Sequence, residues 1–414
     1  MNTSGQGIPI YRMNEIHNCL CDSNINKFAD IDAKTLNDFI LNDRDVLFNR
    51  TNSYEYVGRT GIYYSNINSI RTFASYLVRF VADEQYVKNE YLACFLNTKQ
   101  AKKEIRRRAR QSINQTNVNP EEVKEIEIPL LSDYFQKEIV NLFQESNKLR
   151  IQAEHFYNQA EDILNRELGI TNIENTKNYS VKSFSESFCE SNRLDAEYYQ
   201  DKYTQLFDII KNGKQLKELV TITKSIEPGS DEYKNEGIPF LRVSNLTKFG
   251  LTESNVFLDR KKYKNLIKPR KNTILFSKDG SIGIAYKAES DLDCITSGAL
   301  LHLSVKKAII LPDYLTLVLN SKVVQLQAER DAGGSIINHW RLPEIENVII
   351  PMLDYDIQSQ ISQKVQESFK LRKDSKNLIT VAIRAVELAI EKNEEYASQW
   401  LIENTNEIYH KAKY

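Results

Sequence analysis

Two long stretches of the chain place apolar side chains alternately three and four residues apart. In the first these are Phe135, Ile139, Leu142, Leu149, Ala153, Phe156, Ala160 and Ile163, with Ser146 as the one polar member. Such a seam, kept over about four heptads, predicts a helix that packs lengthwise on another helix. The second stretch carries Ile357, Ile361 and Val365, then Leu378, Ala382, Ala385 and Ala389, with a weaker middle at Ser368 and Ser375. Ile379, Ile383, Val386 and Ile390 widen its apolar face. Neither stretch holds an internal proline or glycine, and Gly169 is placed to end the first. About 36 residues rising 1.5 Å each make a rod of roughly 54 Å, too long to bury in one globular part. The partner of each helix is therefore expected to be the other.

The segments before the helices alternate at the period of strands, and they occur twice. GIPIYRMNEI (Gly7 to Ile16) is echoed about 230 positions later by GIPFLRVSNL (Gly237 to Leu246). RDVLFNR, ending at Arg50, matches NTILFSK, ending at Lys278; each reads as a strand running into a polar turn. VKEIEIPLL (Val123 to Leu131) matches IENVIIPML (Ile345 to Leu353), both read as period-2 strands closed by a proline. QESNKLR from Gln144 recurs as QESFKLR from Gln366, and Gln136/Gln358 and Ile139/Ile361 keep the same offset. A shared register over dozens of residues marks a tandem duplication, and each copy is a strand-rich part followed by one long helix.

Between the copies the chain from Gly169 is polar and rich in Ser and Asn, a linker by composition. RLDAEYYQDKYTQLFDII then predicts a helix leading into the second copy. One asymmetry stands out. KQLKELVTITKSIEPGSDEYKNE precedes GIPF, whereas only MNTSGQ precedes GIPI. Either the tail from Ser398 to Tyr414 stands in for that segment, or the first copy is trimmed.

Composition changes the picture little. The 414 residues are 41% hydrophobic and 27% charged, with a net charge of -1, so the chain as a whole carries no nucleic-acid signature. No apolar run of about 18 residues predicts a membrane span, and the N-terminal residues lack the pattern of a secretory signal. The five cysteines and five histidines fall in no metal-ligand spacing and read as reduced thiols and isolated rings of a cytoplasmic protein. There is no phosphate loop, no nucleophile elbow and no Asn-Pro-Pro-aromatic methyl-transfer motif; SKDGSIGIA reads as a tight turn.

Local charge is different. KQAKKEIRRRAR (Lys99 to Arg110) holds seven basic side chains against one Glu, and RKKYKNLIKPRK (Arg260 to Lys271) holds seven and no acid. Gln111, Asn114 and Gln115 adjoin the first run, and Tyr263 and Asn265 belong to the second. Such clusters displace counterions from a phosphate backbone. For phosphate positioning the first run supplies Lys102, Lys103, Arg106, Arg107, Arg108 and Arg110. The second supplies Lys261, Lys262, Lys264, Arg270 and Lys271. Base edges are read by Arg, Asn, Gln or Lys. Arg50, Asn52 and Arg59 in the first copy, and Lys278, Asn338, His339 and Arg341 in the second, sit in predicted loops and are the candidates.

The duplicated order of these segments resembles the specificity (S) subunit of type I restriction–modification systems. The likeness is carried by GIPIYRMNEI and GIPFLRVSNL, DVLFNR and TILFSKDGSIG, and IEIPLLSDYFQKEI and VIIPMLDYDIQSQI. GGSIINHWRLPEIENVIIP and the linker's RLDAEYY add to it. The resemblance implies an α+β fold: two pseudo-repeated α/β target recognition domains separated by an antiparallel coiled coil of two long helices. The expected bounds are 1–131 for the first domain, 132–168 for its helix and 169–213 for linker and lead-in helix. The second domain is expected at 214–353, its helix at 354–400 and a tail at 401–414. It further implies a non-catalytic reader of a bipartite duplex DNA site, with no cofactor of its own. Two methyltransferase (M) subunits would bring S-adenosylmethionine, and restriction (R) subunits would bring ATP and Mg. The S subunit of a related type II (IIB-like) restriction–methylation enzyme is the alternative, and a coiled-coil scaffold a further one.

Overall fold

The fold was analysed in a computed structural model, which describes residues 1–3, 5–65, 70–113, 115–170, 173–177, 179–306, 308–332 and 339–411. The chain divides into two compact units, residues 1–153 with 370–414 and residues 154–369.

In the first unit the strand Ile8–Tyr11 pairs antiparallel with Phe28–Ala29 and parallel with Thr72–Phe73. A five-stranded sheet runs in the order Ile16–His17, Leu20–Cys21, Thr60–Ile62, Val46–Asn49, Leu77–Phe80. Its apolar side chains close over Tyr11, Ile16, Leu47, Tyr63 and Leu77. The second unit repeats this plan. Ile238–Leu241 pairs antiparallel with Phe257–Leu258 and parallel with Ile295–Thr296. A four-stranded sheet runs Val220–Lys224, Leu300–Val305, Ile274–Ser277, Ala285–Lys287.

The repeated GIP explains itself in this setting. Gly7 and Gly237 have φ of +101° and +136°, and a Cβ on either would be driven into a carbonyl oxygen, that of Ala29 or of Leu258. Only glycine enters the strand there. Beyond the strand, Arg12 N donates to Glu15 Oε2 (2.7 Å), as Arg242 N does to Asn245 Oδ1 (3.0 Å).

A further echo joins sheet to helix. Tyr91-Leu92, then Leu96-Asn97-Thr98-Lys99, recurs as Tyr314-Leu315, then Leu319-Asn320-Ser321-Lys322, on the helices Asn89–Leu96 and Pro312–Asn320. Asn97 Nδ2 donates to Thr60 O (2.9 Å) and Asn320 Nδ2 to Ala285 O (2.7 Å), tying each helix to its hairpin. Tyr91 Oη donates to Pro129 O (2.7 Å) and Tyr314 Oη to Pro351 O (2.8 Å). Gln136 and Gln358, both buried, each accept from a backbone N–H and donate to two carbonyls around the start of a long helix. These bonds satisfy backbone groups that would otherwise be buried unpaired.

Each frame also buries one carboxylate in the first turn of its short helix, Asn89–Leu96 or Pro312–Asn320. Glu90 meets Arg44 (2.6 Å) and the Tyr64 hydroxyl; Asp313 meets Lys287 (2.8 Å) and Gln366 Nε2 (2.7 Å). Burial alone would lower the Lys287 pKa, but the Asp313 hydrogen bond and charge hold it above its ordinary value.

The long helices run Asp133–Leu168 and Tyr355–Glu391. Within the first unit, Ser132 bonds Glu394 and Ser146 bonds Ser375, so the two segments run antiparallel there. Within the second, Gln159 Oε1 accepts from Lys364 Nζ (2.7 Å). Of the seam residues of the first helix, all but Phe156 are buried; Tyr157 takes the inward place.

Three expectations are corrected. The second helix does not continue to 400: it stops at Glu391, and a new helix, Glu394–Lys411, starts where Asn393 Oδ1 accepts from Tyr396 N (2.8 Å). The tail is thus helical as far as Lys411, belongs to the first unit and adds no strand to it among the described residues. Val123–Leu131 is not a strand either. Its start lies in the helix Pro120–Lys124, while its counterpart Ile349–Ile350 is a strand because Lys214–Gln215 pairs with it. The described residues of the first unit provide no such partner. The linker's Arg193 binds Asp195 and donates to the carbonyls of Arg330 and Asp331, fastening RLDAEYY to the end of the helix Lys322–Asp331.

Candidate nucleic-acid interface

In the first unit the basic run is a helix. Thr98 caps Lys99–Arg108 by accepting from Ala101 N (3.2 Å), and Ala101 and Ile105 face inward. Ile105 packs against Gly58, where a Cβ would sit 2.7 Å from its Cγ2 and where φ is +83°. That contact sets the helix against the loop Arg50–Arg59. Lys102, Lys103, Arg106 and Arg107 are exposed, and the Arg106 guanidinium lies 5.6 Å from the centre of the Tyr54 ring.

Several of these charges are already partnered. Glu104 takes Arg107 (2.7 Å) and Arg108 (2.6 Å), whose hydrogen bonds hold its carboxyl below the ordinary value. Lys99 pairs with Glu391 (2.5 Å) and Arg110 with Glu122 (2.6 Å). Lys102, Lys103 and Arg106 make no ion pair among the described residues, so their charge is available to an anion.

Of the loop candidates, Arg50 is exposed and Asn52, half-buried, accepts from Ser53 N through Oδ1 (2.8 Å). Arg59 turns inward: it lies 4.5 Å over Tyr56, donates to Ile16 O (3.4 Å), and burial lowers its pKa. A hairpin, Arg110–Ser112 with Gln115–Asn117, pairs onto Thr51–Asn52 and so adjoins the same loop. Tyr54, Tyr56 and the pairing of this segment into a hairpin were not foreseen from the sequence, which offered Arg110 for phosphate and Gln111 and Gln115 only as polar neighbours of the basic run. Their signal was faint: two tyrosines in NSYEYVG and an acid-free RQSINQTN.

The second unit arranges its charges differently. Arg260–Lys271 forms turns ahead of the strand Ile274–Ser277. Arg260 (2.8 Å) and Lys268 (2.5 Å) share Asp293, and Lys262 pairs with Glu232. Lys261, Lys264, Arg270 and Lys271 make no ion pair among the described residues. Lys278 follows the strand at its other end, so about 13 Å of strand separates the two groups. Lys278 (2.5 Å) and His339 (2.9 Å) converge on Asp279; burial would raise that carboxyl, but the two bonds hold it below its ordinary value. Arg341 pairs with Glu344 in a capping box. Asn338 lies outside the described residues, as does Asn114.

A duplicated frame thus presents unlike basic loops in its two copies. The chain belongs to the family of type I restriction modification DNA specificity domains, whose model matches residues 2–161 and 211–405. Its role is DNA sequence specificity. It is 22% identical over 367 residues to a chain of Methanocaldococcus jannaschii provisionally named the type I restriction enzyme MjaX specificity subunit, covering 87% of this chain and 80% of that one. To the type I restriction enzyme EcoBI specificity subunit of Escherichia coli it is 26% identical over 192 residues, 43% of this chain and 39% of the other. The solved S subunit of a type I system from M. genitalium aligns over 97% of this chain and 89% of its own at 11% identity, with a TM-score of 0.35. No described helix is long and apolar enough to cross a membrane, and no described cluster of His, Cys, Asp and Glu could hold a metal ion.

Proposed function

We propose that this chain is the non-catalytic specificity subunit of a type I restriction–modification complex, with each recognition domain reading one half of a split duplex target. Methyltransferase subunits, two in number, supply S-adenosylmethionine and methylate an adenine flipped from the duplex; restriction subunits add ATP- and Mg-dependent cleavage. The observation that carries this reading is the coincidence of the two family segments with two copies of one hydrogen-bonded frame whose surface loops differ. Phosphate contacts fall to Lys102, Lys103 and Arg106 in the first unit and to Lys261, Lys264, Arg270 and Lys271 in the second. Exchange of residues 237–353 for those of another family member tests it. One half of the methylated motif should change and the other stay, as read by methylation-sensitive genome sequencing; a change in both halves would end the two-reader assignment.

A further inference from the structure

Resting on that DNA-reading function, we propose that the hairpin Arg110–Asn117 is a base-reading ribbon that enters the major groove. Its register is Arg110 opposite Asn117, Gln111 opposite Thr116 and Ser112 opposite Gln115. Directly opposed residues share a face, so Arg110, Ser112, Gln115 and Asn117 stand together, and all four are exposed. On the reverse face Thr116 is buried against the frame, and the pairing of Gln115–Asn117 with Thr51–Asn52 fixes the ribbon to the loop that bears Arg50.

Three features select duplex DNA. First, Ile113, beside the turn, is 100% exposed, an apolar side chain that contributes nothing to this unit's core. Second, the ribbon contains no acid and follows the helix that presents Lys102, Lys103 and Arg106, so its flank is matched to a phosphate backbone. Third, a two-stranded ribbon is of the width that the major groove admits. Its chemistry suits that groove: Gln115 offers the donor and acceptor that match adenine N6 and N7, and Arg110, released from Glu122, matches guanine O6 and N7. Ile113 then packs on the C5 methyl of a thymine. A protein partner would account for Ile113 but not for the cations beside it.

The full chain, as wild type and with Gln115→Ala or Ile113→Ser, is used to select binders from duplex DNA with randomised positions, and thermal unfolding of each protein is followed in parallel. Wild type should enrich a two-part motif. Each variant should melt as wild type does, keep one part, and lose base preference at two or three neighbouring positions of the other. Replacing thymine by deoxyuridine at those positions should weaken wild-type binding about four-fold, the effect of one buried methyl. The same replacement should not weaken binding by Ile113→Ser. This last comparison also uses the unaltered protein, so it survives a variant that folds poorly. Variants that enrich the unchanged motif overturn the ribbon's role and leave the DNA-reading function standing. Weaker binding with every base preference retained also overturns it, because the ribbon then grips phosphates only. A wild-type chain that enriches no motif overturns both.

Discussion

His302 shows how one buried group couples the fold to pH. It lies in the strand Leu300–Val305, with Nε2 2.7 Å from Thr296 Oγ1, and burial lowers its pKa from 6.5. In the unfolded chain the ring takes up a proton near 6.5; in the folded chain only at lower pH. Its contribution is therefore complete above 6.5 and is lost as pH falls towards the folded value, by at most about 1.4 kcal/mol per pH unit. His302→Gln keeps a partner for Thr296 and removes the titration. Wild-type Tm should fall more steeply than that of His302→Gln between about pH 7 and pH 5; parallel curves would exclude this account. At the same scale, the sequence discloses Gly7 and Gly237 at once, because a positive φ against a carbonyl leaves no other residue. It conceals Asn97 and Asn320, whose bonds to Thr60 and Ala285 depend on a hairpin far away in the chain.

Among the elements, the helix pair of the first unit is pinned by one polar rung. Ser146 Oγ donates to Ser375 O (2.9 Å), Ser375 Oγ donates to Ser146 O (2.8 Å), and both hydroxyls are buried. Ser146→Ala and Ser375→Ala should each cost about 1 kcal/mol in urea unfolding. The double change should cost less than the sum by about 0.5 kcal/mol. Strict additivity would mean that the hydroxyls act separately. The apolar seams of both helices were plain from periodicity, since packing period is a property of the strip itself. The end of the second helix was not, because Lys392 and Asn393 break it without proline or glycine and the helical pattern resumes at once. The strand expected at Val123–Leu131 failed for another reason: alternation cannot show whether a ladder partner exists.

At the scale of the whole chain, a net charge of -1 conceals two concentrated basic runs. Their positions are visible in the sequence, but their availability is not. Glu104 withdraws Arg107 and Arg108 from three and four residues away, and Glu232 withdraws Lys262 from a distant loop. Changing Lys102, Lys103 and Arg106 together to Gln should flatten the slope of log K against log salt by about 2 to 3, close to 0.9 for each phosphate no longer neutralised. The same change at the three ion-paired cations Lys99, Arg107 and Arg108 should flatten it less. Titration of a duplex at several salt concentrations measures both, and equal slopes for the two sets would refute the distinction.

The bonds that hold each frame, from Gln136, Tyr91 and Asn97 and from their counterparts Gln358, Tyr314 and Asn320, end on backbone carbonyls and amides rather than on variable side chains. New wording can therefore be written into the outer loops while the grammar beneath them stays fixed. On the proposed reading, grafting Arg50–Arg59 and Arg110–Asn117 as a pair, rather than a whole domain, is an edit by which one half of the target could be rewritten.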